Sequence, residues 1–455
     1  MAAKTKVQFL GAAGTVTGSK FYIETHNMKF LIDCGLFQGL KELRQINWED
    51  LPIHVEDLDC VILTHGHLDH TGYLPRLIQQ GFKGSILGTS PSLAIARIIL
   101  MDTAKIQEEE AEEANRENYS KHHPALPLYT EKDAEKAIEL FESIEQDKWI
   151  KLSDKIQFRM RSAGHILGAC FIELDIDEKI FLFSGDLGRN DDLLLAPPHK
   201  PKWGDYLFLE STYGNRLHPR EDVEEILMRN INEIIQNNGI LLMASFAVER
   251  LQLLSYILWK LFKKNKIPNI PVYIDSPMGI DVTRLFEKFP ESHLIPIEEL
   301  KAIKGHFELV SSYKRTWEII DEQRPRIVIA GSGMLTGGRI LTYLKQFIDN
   351  PNTHLILTGY QAEGTRGRQL EEGTHEIKIR GRYYPVKAKI ERIESLSAHA
   401  DQKELIEWCK NIRNIPEEVF LIHGERQAAD AFRVKLESEF NWNIRIPKLE
   451  DKIEL

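Results

Sequence analysis

Cysteine is scarce in this chain: Cys34, Cys60, Cys170 and Cys409 are the four in 455 residues, far apart and three of them in apolar contexts. Such spacing excludes a disulfide framework and a thiolate zinc site, so any metal must be held by His, Asp or Glu. Long apolar runs are missing as well. No stretch approaches the roughly 18 residues of a membrane-crossing helix, and residues 1–19 lack a basic segment followed by an apolar core and a cleavage site. A soluble cytoplasmic protein with no membrane partner is expected. Nor is there an excess of positive charge: a net charge of −10 excludes a surface that grips nucleic acid everywhere, though not a local basic groove. Part of the acidity sits in Glu108, Glu109, Glu110, Glu112, Glu113 and Glu117, which read as a solvated helix face.

Histidine is concentrated instead. Thr64-His65-Gly66-His67-Leu68-Asp69-His70 places three imidazoles and a carboxylate directly after the apolar run Cys60-Val61-Ile62-Leu63. These are the donors that borderline divalent ions prefer, and there are more of them than one tetrahedral ion could take from neighbouring residues. The spacing points to two metals. The run before them predicts a buried strand, and residues 69–80 carry a helical spacing with Leu74, Leu77 and Ile78 on one face.

Other predicted strands end in the same way. Residues 29–32 deliver Asp33, read as a group that orients the metal histidines. The strand over 155–161 is followed by Gly164-His165, and that over 180–184 by Gly185-Asp186. A strand over 206–209 ends in Glu210. By contrast, His122 and His123 fall in a Pro-containing loop with no ligand-like neighbours and are assigned to solvent.

Beyond residue 222 the pattern becomes strand, loop and helix in repetition, the recipe for a parallel α/β sheet. Small and hydroxylated residues follow its strands: Ser245 with Arg250, Ser276 in Asp275-Ser276-Pro277-Met278, and Ser332 and Gly333 in Gly331-Ser332-Gly333-Met334, which leads to Arg339. Gly-rich turns and helix starts bind anions through backbone N–H groups, so these residues are candidate RNA or phosphate ligands, with Arg366 and Arg368 adding local charge. Solvated arginines and plain tight turns are the alternative for any one loop. The C-terminal part returns to metal-type chemistry, with Ser397-Ala398-His399 before a helix and His423-Gly424 after a strand over 418–422.

The ordered set Asp33, His65-x-His67-x-Asp69-His70, His165 and Asp186 resembles the four motifs of the metallo-β-lactamase fold. Glu210, Ser397-x-His399 and His423-Gly424 resemble the three further motifs of its β-CASP branch, the nucleic-acid-processing nucleases. The resemblance implies an α/β fold: an αββα metallo-β-lactamase sandwich with an inserted parallel-sheet β-CASP domain. Its expected limits are 1–205 for the first part of the sandwich, 206–378 for the β-CASP domain and 379–455 for the return. It also implies two Zn²⁺ per chain, one on His65, His67 and His165 and the other on Asp69, His70 and His423, with Asp186 bridging. His399 would be the general acid, oriented by Glu210, and Asp33 and Asp69 would serve the catalytic centre. Ser397 joins the expected RNA contacts.

A histidine at position 423 resembles RNA-processing members, which implies a ribonuclease giving 5′-phosphate and 3′-hydroxyl products. The expected partner is single-stranded RNA, with a homodimer as a candidate assembly; endo- and exonuclease action both remain open. Two rivals stand beside this reading: another hydrolase of the same fold, of thioesterase or lactonase type, and a non-catalytic RNA-processing subunit. The first needs neither Glu210 nor His399, and the second has no need of a full ligand set.

Overall fold

The structure is a computed structural model and describes residues 4–118 and 120–455. Its contacts divide the chain into two units.

The first unit, residues up to 192 with 196–217 and 399–455, holds two seven-stranded sheets. One runs in the order Lys452–Glu454, Lys6–Phe9, Phe21–Thr25, Met28–Ile32, Cys60–Ile62, Ser85–Gly88 and Phe141–Ser143. The other runs Ile444–Arg445, Glu418–Ile422, Tyr206–Glu210, Lys179–Phe183, Cys170–Ile176, Ile156–Ser162 and Ile150–Lys151. Because successive side chains alternate between faces, each strand serves two layers. Phe9, Phe21, Phe30 and Ile62 from one sheet meet Phe158, Ile172, Phe183, Phe208 and Phe420 from the other in a common core. The Phe183 and Phe208 rings stack at 4.1 Å there. Leu31, Val61, Leu63 and Ile86 point the opposite way, into a core built with Leu74, Leu77, Leu100 and Ala137 of the covering helices. On the outer side of the second sheet, Phe171 meets Trp408 of the helix Gln402–Cys409 edge to face. Helices thus cover both outer faces, the αββα arrangement.

Two local readings change. The helical spacing over 69–80 folds as two short helices, Leu68–Thr71 and Leu74–Gln79. Pro75 has no N–H, and its ring would clash with the carbonyl of Thr71 in a continuous helix, so the chain breaks at Gly72 and Tyr73. His122 and His123 are exposed, as expected.

The second unit, residues 193–195 and 218–398, is a six-stranded sheet, parallel throughout, in the order Glu308–Leu309, Val272–Asp275, Arg326–Ala330, Ile240–Ala244, Thr353–Leu357 and Lys389–Arg392. Four of its helices begin on hydroxyl or carboxylate caps, Asp222, Ser276, Ser312 and Thr365. A separate two-stranded ribbon, Glu376–Ile379 with Arg382–Pro385, packs Ile377 and Ile379 into the core of this unit. Strand pairing draws the limits differently from 206 and 379. Tyr206–Glu210 lies between strands of the first unit, and Lys389–Arg392 extends the parallel sheet of the second. Among the described residues no helix is long and apolar enough to cross a membrane.

Candidate metal centre

The histidine-rich stretch leaves the strand Cys60–Ile62 as a loop and enters the helix Leu68–Thr71. Its backbone is clamped by the segments beside it: Ser19 N–H donates to the Asp69 carbonyl at 2.8 Å and Cys34 N–H to the His70 carbonyl at 2.7 Å. Gly35 is obligatory at this crossing, because a Cβ there would overlap the Asp69 carbonyl. Lys20, fully buried, donates to the carbonyls of Gly18 and Gly35 at 3.1 and 2.6 Å, and burial pulls its amine down to about 8. His165, Asp186 and His423 each follow a strand of the second sheet. Asp33 and His423 sit at φ of 59° and 46°, the left-handed region that non-glycine residues occupy only when the surroundings enforce it.

Two clusters of donor atoms result. In the first, His67 Nδ1 is 3.1 Å from His65 Nε2 and 3.3 Å from His165 Nε2, while Asp186 Oδ2 is 3.6 and 3.5 Å from the latter two. In the second, His423 Nε2 is 3.2 Å from His70 Nε2 and 3.4 Å from Asp69 Oδ2, with Asp186 Oδ1 3.4 Å from His70 Nε2. Ligands about 2.1 Å from a tetrahedral ion stand roughly 3.4 Å from one another, so both clusters are spaced as the edges of such a site.

Hydrogen bonding at the rear of the rings fixes which nitrogens face inward. Asp33 Oδ2 accepts from His70 Nδ1 at 2.7 Å. Thr64 donates its N–H and its hydroxyl to the Asp33 carboxylate, which leaves its oxygen to accept from His65 Nδ1 at 3.0 Å. Thr212 donates its hydroxyl to the His423 carbonyl and accepts from His423 Nδ1 at 3.1 Å. The Nε2 atoms of His65, His70 and His423 therefore face the interior, that of His65 toward His67 Nδ1 and those of His70 and His423 toward one another at 3.2 Å. Asp186 Oδ1 is buried there without a hydrogen-bond partner. Ring nitrogens gathered around such a carboxylate fit a bound cation.

The electrostatics agree. Burial, with repulsion from neighbouring imidazoles, holds His65 well below the usual histidine range, and burial takes His67 down to about 4, so both are neutral ligands near pH 7. Burial works against the charge on Asp186 too, but His423, His70 and His65 keep its carboxyl well below the usual range. At His70 burial is overridden in the other direction: Asp186 and Asp33 raise it well above the ordinary value, a sign that the carboxylates demand positive charge there.

His399 stands beside these clusters. Its main chain bridges to Gly188, and Ala400 N–H donates to the Leu187 carbonyl at 2.7 Å. Glu210 is fully buried, accepts from Leu187 N–H at 2.5 Å through Oε1, and presents Oε2 3.2 Å from His399 Nδ1. Burial disfavours charge on His399, yet Glu210 and Asp186 raise its imidazolium to about 9. Its Nε2, 3.9 Å from Asp186 Oδ2, can carry a proton at neutral pH.

The structure therefore brings Asp33, His65, His67, Asp69, His70, His165, Asp186, Glu210, His399 and His423 into one site in the first unit. Thr64, Thr212, Ser19 and Lys20 were missing from the sequence reading. Thr64 and Thr212 are neighbours of named candidates, but nothing in their spacing says which ring they hold.

The anion candidates sit elsewhere, in the second unit, after strands of the parallel sheet. Ser245 donates to the Phe246 carbonyl, Ser276 caps the helix Pro277–Lys288, and Ser332 accepts from the N–H groups of Thr336 and Gly337. Gly333 lies against the Phe246 ring, Arg250 is buried with Glu249 at 3.3 Å, and Ser397 is buried. The Arg339 guanidinium is buried against the Asp275 carboxylate and donates to the Val310 and Ser311 carbonyls at 3.2 and 2.8 Å, contacts within the unit.

Comparison with known proteins gives three matches in order along the chain, the third of which begins inside the second unit. Residues 14–215 match the metallo-beta-lactamase superfamily, 251–370 the Beta-Casp domain, and 383–447 the Zn-dependent metallo-hydrolase RNA specificity domain. Ribonuclease TTHA0252 of Thermus thermophilus is 31% identical over 426 residues, covering 92% of each chain. The RNase J-like protein of Methanocaldococcus jannaschii is 30% identical over 94% of this chain and 95% of its own length. Transcription termination factor FttA of the same organism is 30% identical over 98% of this chain and 71% of its own. A solved structure of a protein of unknown function from Enterococcus faecalis V583 shares the fold at a TM-score of 0.51 and 15% identity, over 99% of this chain and all of that one. With a relative of such identity matched almost end to end, and three family matches in order along the chain, this chain belongs to the β-CASP branch of the metallo-β-lactamase superfamily.

Proposed function

We propose that this protein is a zinc-dependent ribonuclease that hydrolyses phosphodiester bonds of single-stranded RNA, leaving 5′-phosphate and 3′-hydroxyl ends. The observation that carries the reading is the sharing of Asp186, which turns Oδ2 to the cluster of His65, His67 and His165 and Oδ1 to that of Asp69, His70 and His423. Relatives named ribonuclease and RNase J-like protein support RNA as the substrate.

Each cluster would hold one Zn²⁺, and the pair supplies Lewis-acid polarisation of a phosphoryl oxygen and acidification of water when bound. The chain's own residues do the rest. Asp33, Thr64 and Thr212 keep the Nε2 lone pairs aimed inward. His399 holds a proton on Nε2 and gives it to the departing 3′-oxygen, and Glu210 fixes the ring through Nδ1 while favouring its charged form. Burial of the clusters excludes bulk water and strengthens these interactions. The Glu210–His399 pair also counts against a thioesterase, whose thiolate leaving group departs without needing a proton donor.

The decisive experiment is a time course on end-labelled RNA, linear and circular, with and without chelator. Cleavage that the chelator abolishes is expected, and products from the circle would assign endonuclease action. Intact RNA beside rapid hydrolysis of a glutathione thioester would overturn the reading. Cytoplasmic location and a homodimeric assembly belong to the same proposal; fractionation and light scattering of the purified protein test them.

A further inference from the structure

The ribbon of the second unit is exposed along one face and at its turn. Arg380 and Gly381 turn it at φ of 45° and 81°, the sign pattern of a tight type I′ hairpin. While Ile377 and Ile379 are fully buried, Lys378 projects the other way, directly opposite Tyr383. Tyr383 is 62% exposed, and the Lys378 ammonium lies 5.4 Å from its ring centroid.

Charge on the ribbon is one-sided. Between positions 378 and 387 the sequence reads Lys-Ile-Arg-Gly-Arg-Tyr-Tyr-Pro-Val-Lys, with four basic residues and no acid, in a chain of net charge −10. Glu376, opposite Pro385 at the open end, is the ribbon's single acid. Among the described residues no carboxylate pairs with Lys378, Arg382 or Lys387, whereas Lys389 and Arg392 just beyond are paired with Glu233 and Glu371. The ribbon is also held firmly. Arg366 donates to the Lys378 carbonyl at 2.7 Å and to the Leu335 and Thr336 carbonyls at 3.0 and 3.2 Å. That ties the ribbon to the loop after the strand Arg326–Ala330, at the edge where parallel sheets receive ligands.

Lys378 beside an exposed phenol, with Arg382 exposed at the turn opposite Ile379 and Lys387 exposed just beyond the strands, suits a polyanion with accessible bases. Phosphates are neutralised by Lys and Arg, and a base stacks on an aromatic ring in a sequence-tolerant way. We propose that this ribbon is a holding surface for single-stranded RNA, with Lys378, Arg382 and Lys387 on phosphates and Tyr383 under a base. The proposal rests on the ribonuclease reading and adds a grip in the unit that lacks the metal clusters.

The test uses the full-length, metal-loaded protein and an unstructured 30-nucleotide RNA over a series of KCl concentrations. Lys378→Glu with Arg382→Glu should raise KM about tenfold, with the loss in KM rather than kcat. The slope of log(kcat/KM) against log[KCl] should become shallower by roughly 1.4, at about 0.7 per single-strand phosphate contact. Tyr383→Ala should raise KM roughly fivefold or more. Lys387→Glu, outside the paired strands, repeats the charge test without touching the hairpin, and Lys132→Glu on the helix Glu131–Glu139 is a control expected to change nothing. Wild-type cleavage with unaltered KM and slope in the ribbon variants overturns the ribbon alone. Unaltered RNA kinetics with weakened retention on polyglutamate assigns the ribbon to an acidic protein and overturns it equally. A wild-type protein that neither binds nor cleaves RNA overturns both readings.

Discussion

His399 Nδ1 lies 3.2 Å from Oε2 of Glu210, a carboxylate with no exposure to solvent. Burial alone would strip the proton from this imidazole; Glu210, with Asp186, holds it there and brings the group to about 9. Glu210→Gln keeps the shape and removes the charge, so the imidazolium gives up its proton at lower pH. The alkaline limb of single-turnover kcat/KM should move to lower pH by about one unit or more. A limb that stays in place would mean that another group supplies the proton.

His399→Ala should retain its metal and lose cleavage by about 10²- to 10⁴-fold, the usual contribution of a general acid. His67→Ala and Asp186→Ala should lose metal along with activity. Elemental analysis beside rate measurements separates the two classes, and chelation of the wild type should lower its melting temperature, because the metal binds only the folded chain.

Thr64→Val and Thr212→Val replace a hydroxyl by a methyl of equal size and leave every metal ligand in place. Each frees a ring to adopt the wrong tautomer, so metal affinity should fall about 10- to 100-fold with little change in fold. Competition with a chromogenic chelator measures this; affinity equal to wild type would show that burial alone orients the rings.

Arg339→Met leaves the Asp275 carboxylate buried without its cationic partner, although Thr316 and Tyr343 still donate to it at 2.7 Å. Urea unfolding should show a loss of about 3–5 kcal/mol. Normal stability with a raised KM for RNA would instead return Arg339 to the substrate.

What was legible in the sequence followed from local pattern. Asp33, His165, Asp186 and His423 each stand where an apolar strand stops, and strand ends can be read from residues close together in the chain, so these candidate site residues could be named before their meeting was seen. Thr212 could not, because its partner His423 is 211 positions away and threonine is common at strand ends. The Arg339–Asp275 pair is hidden for a related reason: a basic residue after a Gly-rich loop gives no sign of a carboxylate 64 positions earlier in the chain. The strand Lys389–Arg392 reads as a strand in either unit, and only its parallel pairing with Thr353–Leu357 assigns it.

The order of residues along the chain carries one more consequence. His65, His67, His165 and Asp186 precede the inserted unit, whereas His399 and His423 follow it. A ribosome that has reached residue 398 has made the whole of one donor set, but neither His423 of the second nor the proton donor. On the roles proposed above, the growing polypeptide cannot cleave before both His399 and His423 have been added and folded back onto the donors that precede the inserted unit.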